Sequence, residues 1–187
     1  MKPTGMRKRQ HAPPAKSRWV LTSGQQGREG ETTSDFIHLS PSELARRIAA
    51  GELSSREVVE AHIRRIEAVN SDLNAVVVPL FEQAREEALK ADHAHEQGVL
   101  LGPLHGVPIT LKEQFLVAGT ASTVGLISQQ ARYTGPEGPL VQRLHQAGAI
   151  ILGKTNVAHL LMYHEATHPV YGRTNHPWDL ARTGPAE

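Results

Sequence analysis

Hydrophobic positions in this chain come first in helical stripes and then in short bursts. Ser40-Pro41-Ser42-Glu43 is a capping box with proline at the first helical position. It predicts a helix running to Ala50 and stopped by Gly51. Ser54-Ser55-Arg56-Glu57 repeats the signal. Val58, Val59, His62, Ile63, Ile66 and Val69 then recur at helical spacing, so a second helix is expected to about Asn70. Ala75 to Val78 is short, β-branched and apolar, and reads as a strand. A longer polar helix is predicted over 80–96, ending at Gly98.

After Leu100 the texture changes. Gly102-Pro103-Leu104-His105-Gly106 is a turn-rich approach to an apolar strand over 107–112 with a polar end. Pro139 to Ala147 predicts a helix with an apolar stripe at Leu140, Val141 and Leu144. Ala149-Ile150-Ile151-Leu152 predicts the next strand, and Gly153-Lys154-Thr155-Asn156 is read as turning into a short helix through Leu161. Strand and helix alternate, so the fold class is α/β, with a helical lead-in packed around a sheet. No internal repeat is visible.

Composition narrows the chemistry. The 187 residues contain no cysteine, which removes disulfides, thiolate metal sites and cysteine nucleophiles and fits a reducing compartment; a cytoplasmic location is expected. No apolar run approaches the roughly 20 residues that span a bilayer. The net charge of +1 hides an asymmetry, because residues 1–28 hold seven basic residues and no acidic one. With its prolines and glycines and no periodicity, residues 1–37 read as a basic, disordered, solvated extension. Residues 38–187 read as the structured part. No nucleic-acid partner is expected.

Several stretches taken together resemble one known family. They are Gly102-Pro103-Leu104-His105-Gly106-Val107-Pro108 leading to Lys112, Ala118-Gly119-Thr120, Leu140 through Ala149, and Leu152-Gly153-Lys154-Thr155-Asn156. The last is Tyr171-Gly172-Arg173-Thr174-Asn175-His176-Pro177-Trp178-Asp179-Leu180-Ala181-Arg182-Thr183. In order and spacing they resemble the amidase-signature enzymes, over roughly residues 39–183. That family includes general amidases, fatty-acid amide hydrolases and the amidase subunit of the glutamyl-tRNA amidotransferase.

The resemblance implies a mixed sheet flanked by helices, of which this chain holds the N-terminal part, and amide hydrolysis by a serine–serine–lysine triad. In that mechanism a neutral lysine relays a proton through a bridging serine. A second serine attacks the carbonyl, and backbone N–H groups of a glycine- and serine-rich loop hold the oxyanion. The lysine corresponds to Lys112. On a strand, Lys112 shares a face with Thr110 and Pro108 beside an apolar run, where desolvation would favour the neutral amine. The alternative is a strand-end lysine paired with a carboxylate such as Glu113. Glu113 itself stands where the family more often has aspartate. Leu161 and Met162 correspond to the acyl side of the substrate pocket, and Leu160-Leu161-Met162 leans towards a lipophilic acyl group; core packing is the other reading. No cofactor is implied.

The family continues from Arg-Thr into Pro-Gly-Gly-Ser-Ser-Gly-Gly and a later nucleophilic serine. Here the sequence reads Thr183-Gly184-Pro185-Ala186-Glu187, and no serine follows Ser128. One triad member of three is present. The expectation is an incomplete amidase, by truncation, frameshift or a short gene model, that is inactive alone. Its incomplete sheet would leave an open edge prone to homodimerisation or aggregation. Two other readings stand beside it: a non-catalytic binding module derived from an amidase, and a zinc hydrolase. The latter rests on His164-Glu165-Ala166-Thr167-His168, which matches His-Glu-x-x-His, although Pro169 disfavours helical dihedrals at His168.

Overall fold

A computed structural model describes residues 36–133 and 135–185. The first described element falls at the end of the expected extension: Phe36–His38 form a 3₁₀ turn, and Phe36 is buried. Residues 1–35 lie outside the described residues, and with them nearly all of the basic segment.

Helix α1, Pro41–Ala49, is capped by the Ser40 hydroxyl, which accepts from the Glu43 amide at 3.2 Å. Helix α2, Ser55–Leu73, carries a full capping box: Ser54 Oγ accepts from the Glu57 amide, and the Glu57 carboxylate accepts from the Ser54 amide. It ends at Asn74, which takes a left-handed conformation (φ 51°, ψ 44°). Strand β1 is Val76–Pro79, and helix α3, Phe81–Glu96, packs back along α2. The two sides of α2 serve two cores. Val58 and Ala61 join Leu44, Ile48 and Val107, whereas Val59 and Ile63 join Ala84, Ala88, Ile150 and Leu152.

Strand β2, Pro108–Lys112, helix α4, Pro139–Gln146, and strand β3, Ile150–Thr155, complete the central layer. The sheet order is β1-β3-β2, with β1 antiparallel and β2 parallel to β3. This incomplete mixed sheet with its helices is the expected α/β class. Strand β3 is longer than the sequence suggested, and the helix read into 153–161 is absent. Gly153, Lys154 and Thr155 continue the strand because both of its edges are occupied, and sheet pairing outweighs the turn character of the local sequence. Only His159–Leu161 form a single 3₁₀ turn.

One irregularity re-aims this strand. Ile109 pairs with Ile151, but Thr110 pairs with Gly153, so Leu152 is an extra residue on β3. Before this bulge Ile150 and Leu152 face α2 and α3, and Ile151 faces Leu111 and Val141. After it the faces exchange, so Lys154, in register with Leu111, is turned onto the Ile151 side. Gly153 is needed there. A Cβ on it would lie 2.7 Å from the Val78 carbonyl oxygen.

The chain after β3 forms two short antiparallel pairs, β4 (Thr167–His168) with β5 (Gly172–Arg173) and β6 (Asn175–His176) with β7 (Asp179–Thr183). No helix among the described residues is long and apolar enough to cross a membrane.

Candidate functional site

Lys112 ends β2 half-buried, between the buried side chains of Leu111 and Glu113. The chain then enters a loop, 113–126, that returns over the end of the sheet. Glu113 is fully buried. Its carboxylate does not act as a surface counter-ion but accepts from two backbone amides of that loop, Thr123 at 2.6 Å and Val124 at 3.0 Å. Both bonds are charge-assisted, and they tie the carboxylate to successive amides of the loop.

Sequence reasoning missed the more deeply buried lysine. Lys154, 0% exposed, reaches from β3 into the same loop, where Nζ donates to the Ala121 carbonyl at 2.5 Å, Ser122 Oγ at 2.8 Å and Thr120 Oγ1 at 3.2 Å. Burial drives its pKa down from 10.5 to about 8, and the Glu113 charge opposes part of that fall. Desolvation by the surrounding core thus acts on Lys154. Its neighbours Gly153 and Thr155 gave it the look of a turn, and no local pattern announces the bulge that points it inward.

Leu160 and Leu161 lie in the 3₁₀ turn, and Met162 follows it. All three are substantially exposed, and Met162, at 72%, is no part of the described core. Leu160 and Leu161 have positive φ, 53° and 59°, as does Val124 at 44°. Such values are unusual for bulky side chains and mark a strained turn. The Leu160 amide donates to the Val124 carbonyl at 2.8 Å, so this turn hangs from the loop that Glu113 and Lys154 hold.

The His-Glu-x-x-His stretch is not helical. His164 is exposed and His168 is buried in β4, so the two histidines do not share a helix face. Among the described residues no three His, Asp or Glu side chains are grouped to hold a metal ion.

The profile of the family described as Amidase matches residues 57–184, most of the chain and every element from α2 to β7. This chain belongs to the amidase-signature family. Among curated amidase relatives it is 39% identical over 149 residues to a glutamyl-tRNA(Gln) amidotransferase subunit of Streptomyces coelicolor, covering 80% of this chain and 30% of that one. It is 41% identical over 157 residues to fatty-acid amide hydrolase 2-A of Danio rerio, with the same coverages. Among amidase structures, a fatty acid amide hydrolase superposes with TM-score 0.76 at 30% identity, covering 81% of this chain and 27% of that one. The peptide amidase of Stenotrophomonas maltophilia superposes with TM-score 0.71 at 30% identity, covering 79% and 32%. The chain spans about three tenths of the length of these amidases.

Proposed function

We propose that these 187 residues are the lysine-bearing portion of an amide-bond hydrolase, with Lys112 the base of a serine–serine–lysine mechanism. The observation that carries the reading is the continuous family match from residue 57 to residue 184, which includes the strand that ends in Lys112. Lys112 stands at the mouth of the sheet, half-buried and followed by a carboxylate committed to backbone amides. A lysine so placed, in its neutral form, takes a proton from a serine hydroxyl brought to it. The exposed apolar turn at Leu161 and Met162 would face the acyl group of a small-molecule amide.

With no serine after Ser128, the 187 residues supply neither the bridging serine nor the nucleophile, and turnover requires those groups. The reading is tested by exchanging this segment for the matching one in the acylamidase of Rhodococcus erythropolis, which is 37% identical over 152 residues. The chimera is expected to hydrolyse an acyl amide. Lys112→Met in it should lower kcat by at least about a hundredfold, the scale of a lost general base. The 187-residue chain alone should show no hydrolysis above background. Unchanged kcat in the Lys112→Met chimera would refute the assignment.

A further inference from the structure

Lys154 and Glu113 are the two fully buried charged side chains among the described residues, and both end on one loop. They approach it from different strands. Glu113 leaves the end of β2 and holds the Thr123 and Val124 amides. Lys154 leaves the bulged end of β3 and holds Thr120, Ala121 and Ser122. Between them, five successive residues, 120–124, are bound by hydrogen bonds to these two side chains, and the two to Glu113 are charge-assisted.

The rest of the loop is tied to the same points. Ser122 Oγ donates to the Phe115 carbonyl at 2.9 Å, and the Phe115 amide donates to the Lys112 carbonyl at 3.1 Å. On the far side, the Val124 carbonyl holds the Leu160 amide. A chain of direct bonds therefore runs from the backbone of Lys112 through the clamped loop to the turn of Leu161 and Met162. A neutral, apolar pair would pack the loop without fixing five polar groups in place, and burying two charges is costly unless each is bonded in this way.

We propose that Lys154 and Glu113 are positioning residues, which hold loop 113–126 from both sides and thereby fix the apolar turn at Leu161–Met162 relative to Lys112. This rests on the amidase reading for the roles of the residues positioned, but the clamp itself is a property of the chain as it stands.

The titration of Lys154 makes the clamp measurable. Opening the loop puts Lys154 in water, where it holds its proton up to about 10.5; closed, it releases it near 8. Between these values the open loop binds more protons, so opening becomes rarer as pH rises. Lys154 faces Glu113, and Glu113 lies within electrostatic reach of His168 and Tyr171. Burial pushes His168 below 6.5 and Tyr171 above 10, so both sit outside a window from pH 7 to 9.5.

The test is amide hydrogen exchange by NMR on the 187-residue chain at pH 7 and 9.5, corrected for intrinsic rates. Expected is roughly thirtyfold rarer opening at Thr123, Val124 and Leu160 at the higher pH, a step that vanishes in Lys154→Met. Glu113→Gln should raise opening at least about tenfold at Val124 and at Leu160 together. At pH 7 these amides should open more often than that of Ile63, a fully buried residue within α2. A step that is absent, that persists in Lys154→Met, or that omits Leu160 overturns the proposal. So does opening at the loop no more frequent than at Ile63. If a variant does not fold, the wild-type step at Leu160 and the comparison with Ile63 still decide. None of these readouts depends on hydrolysis, so an inactive chimera and a missing clamp are separate results.

Discussion

Thr174 donates its hydroxyl to the carbonyl of Asn74 at 2.8 Å, joining the end of α2 to a segment 100 residues later. Asn74 returns the contact, since its Nδ2 donates to the Tyr171 and Arg173 carbonyls at 2.7 and 3.1 Å. One left-handed residue thus stops a helix and anchors the C-terminal hairpins. Asn74→Gly keeps the backbone shape but loses both side-chain bonds, at about 1–2 kcal/mol. Asn74→Ala loses the bonds and adds about 1 kcal/mol for a Cβ at positive φ. Urea unfolding should rank wild type above Gly and Gly above Ala; equal Gly and Ala variants would contradict the helix-stop role.

Gly106 lies against the first turn of α2. Its φ is +74°, and a Cβ there would come within 2.0 Å of Ser55 Oγ and 2.8 Å of Ser55 Cβ. Gly98 has nearly the same φ, +75°, with nothing within 4 Å. Gly98→Ala is expected to cost about 1 kcal/mol, the conformational penalty alone. Gly106→Ala adds overpacking and should cost at least about 3 kcal/mol. Denaturant midpoints of the two variants separate the two causes.

The start of α2 is held twice, by the Ser54 capping box and by Asp92 of α3, whose carboxylate accepts from the Ser55 and Arg56 amides at 2.6 and 3.1 Å. Ser54→Ala should lower stability by about 1 kcal/mol. The double variant Ser54→Ala/Asp92→Ala should cost more than the sum of the single ones, because each group leaves the other to hold the helix end. Simple additivity in a double-mutant cycle would show that the two act independently.

Two buried histidines set the acid limit. Burial lowers the pKa of His105 and of His168 below 6.5, so below that value the unfolded chain binds protons that the fold excludes. Stability contributed by the neutral rings is complete above pH 6.5 and falls as the pH drops through that value. Glu43, held down to about 2 by Arg46 and then Arg47, adds its loss only below 4.5. Thermal midpoints should therefore decline between pH 7 and 5, and His105→Gln should flatten the decline. An unchanged slope would assign it to other groups.

Much of the fold was legible because its signals are local. Ser40 and Ser54 announce α1 and α2 within four residues each, and the apolar spacing of Val58 to Ile66 describes the helix it forms. The strand that ends in Lys112 was readable for the same reason. What escaped depends on pairing between distant segments. Gly153-Lys154-Thr155 reads as a turn until β1 and β2 are placed on either side of it, and the inward aim of Lys154 follows from one extra residue in that pairing. The short hairpins after Thr167 have little apolar pattern of their own, since partners such as Asn74 and Asn156 fix them.

The strand order has a consequence for synthesis. Strand β3 lies between β1 and β2, yet it is the last of the three to leave the ribosome, about 70 residues after Pro79. Neither earlier strand has a partner until it arrives, and at about 5–20 residues per second that interval lasts several seconds. During it α2 and α3 have both emerged and can pair through Val59, Ile63, Ala84 and Ala88. The helical lead-in thus shelters the growing chain while both strands wait for their centre, and a nascent polypeptide stalled in this interval is the form most exposed to chaperones and to its own copies.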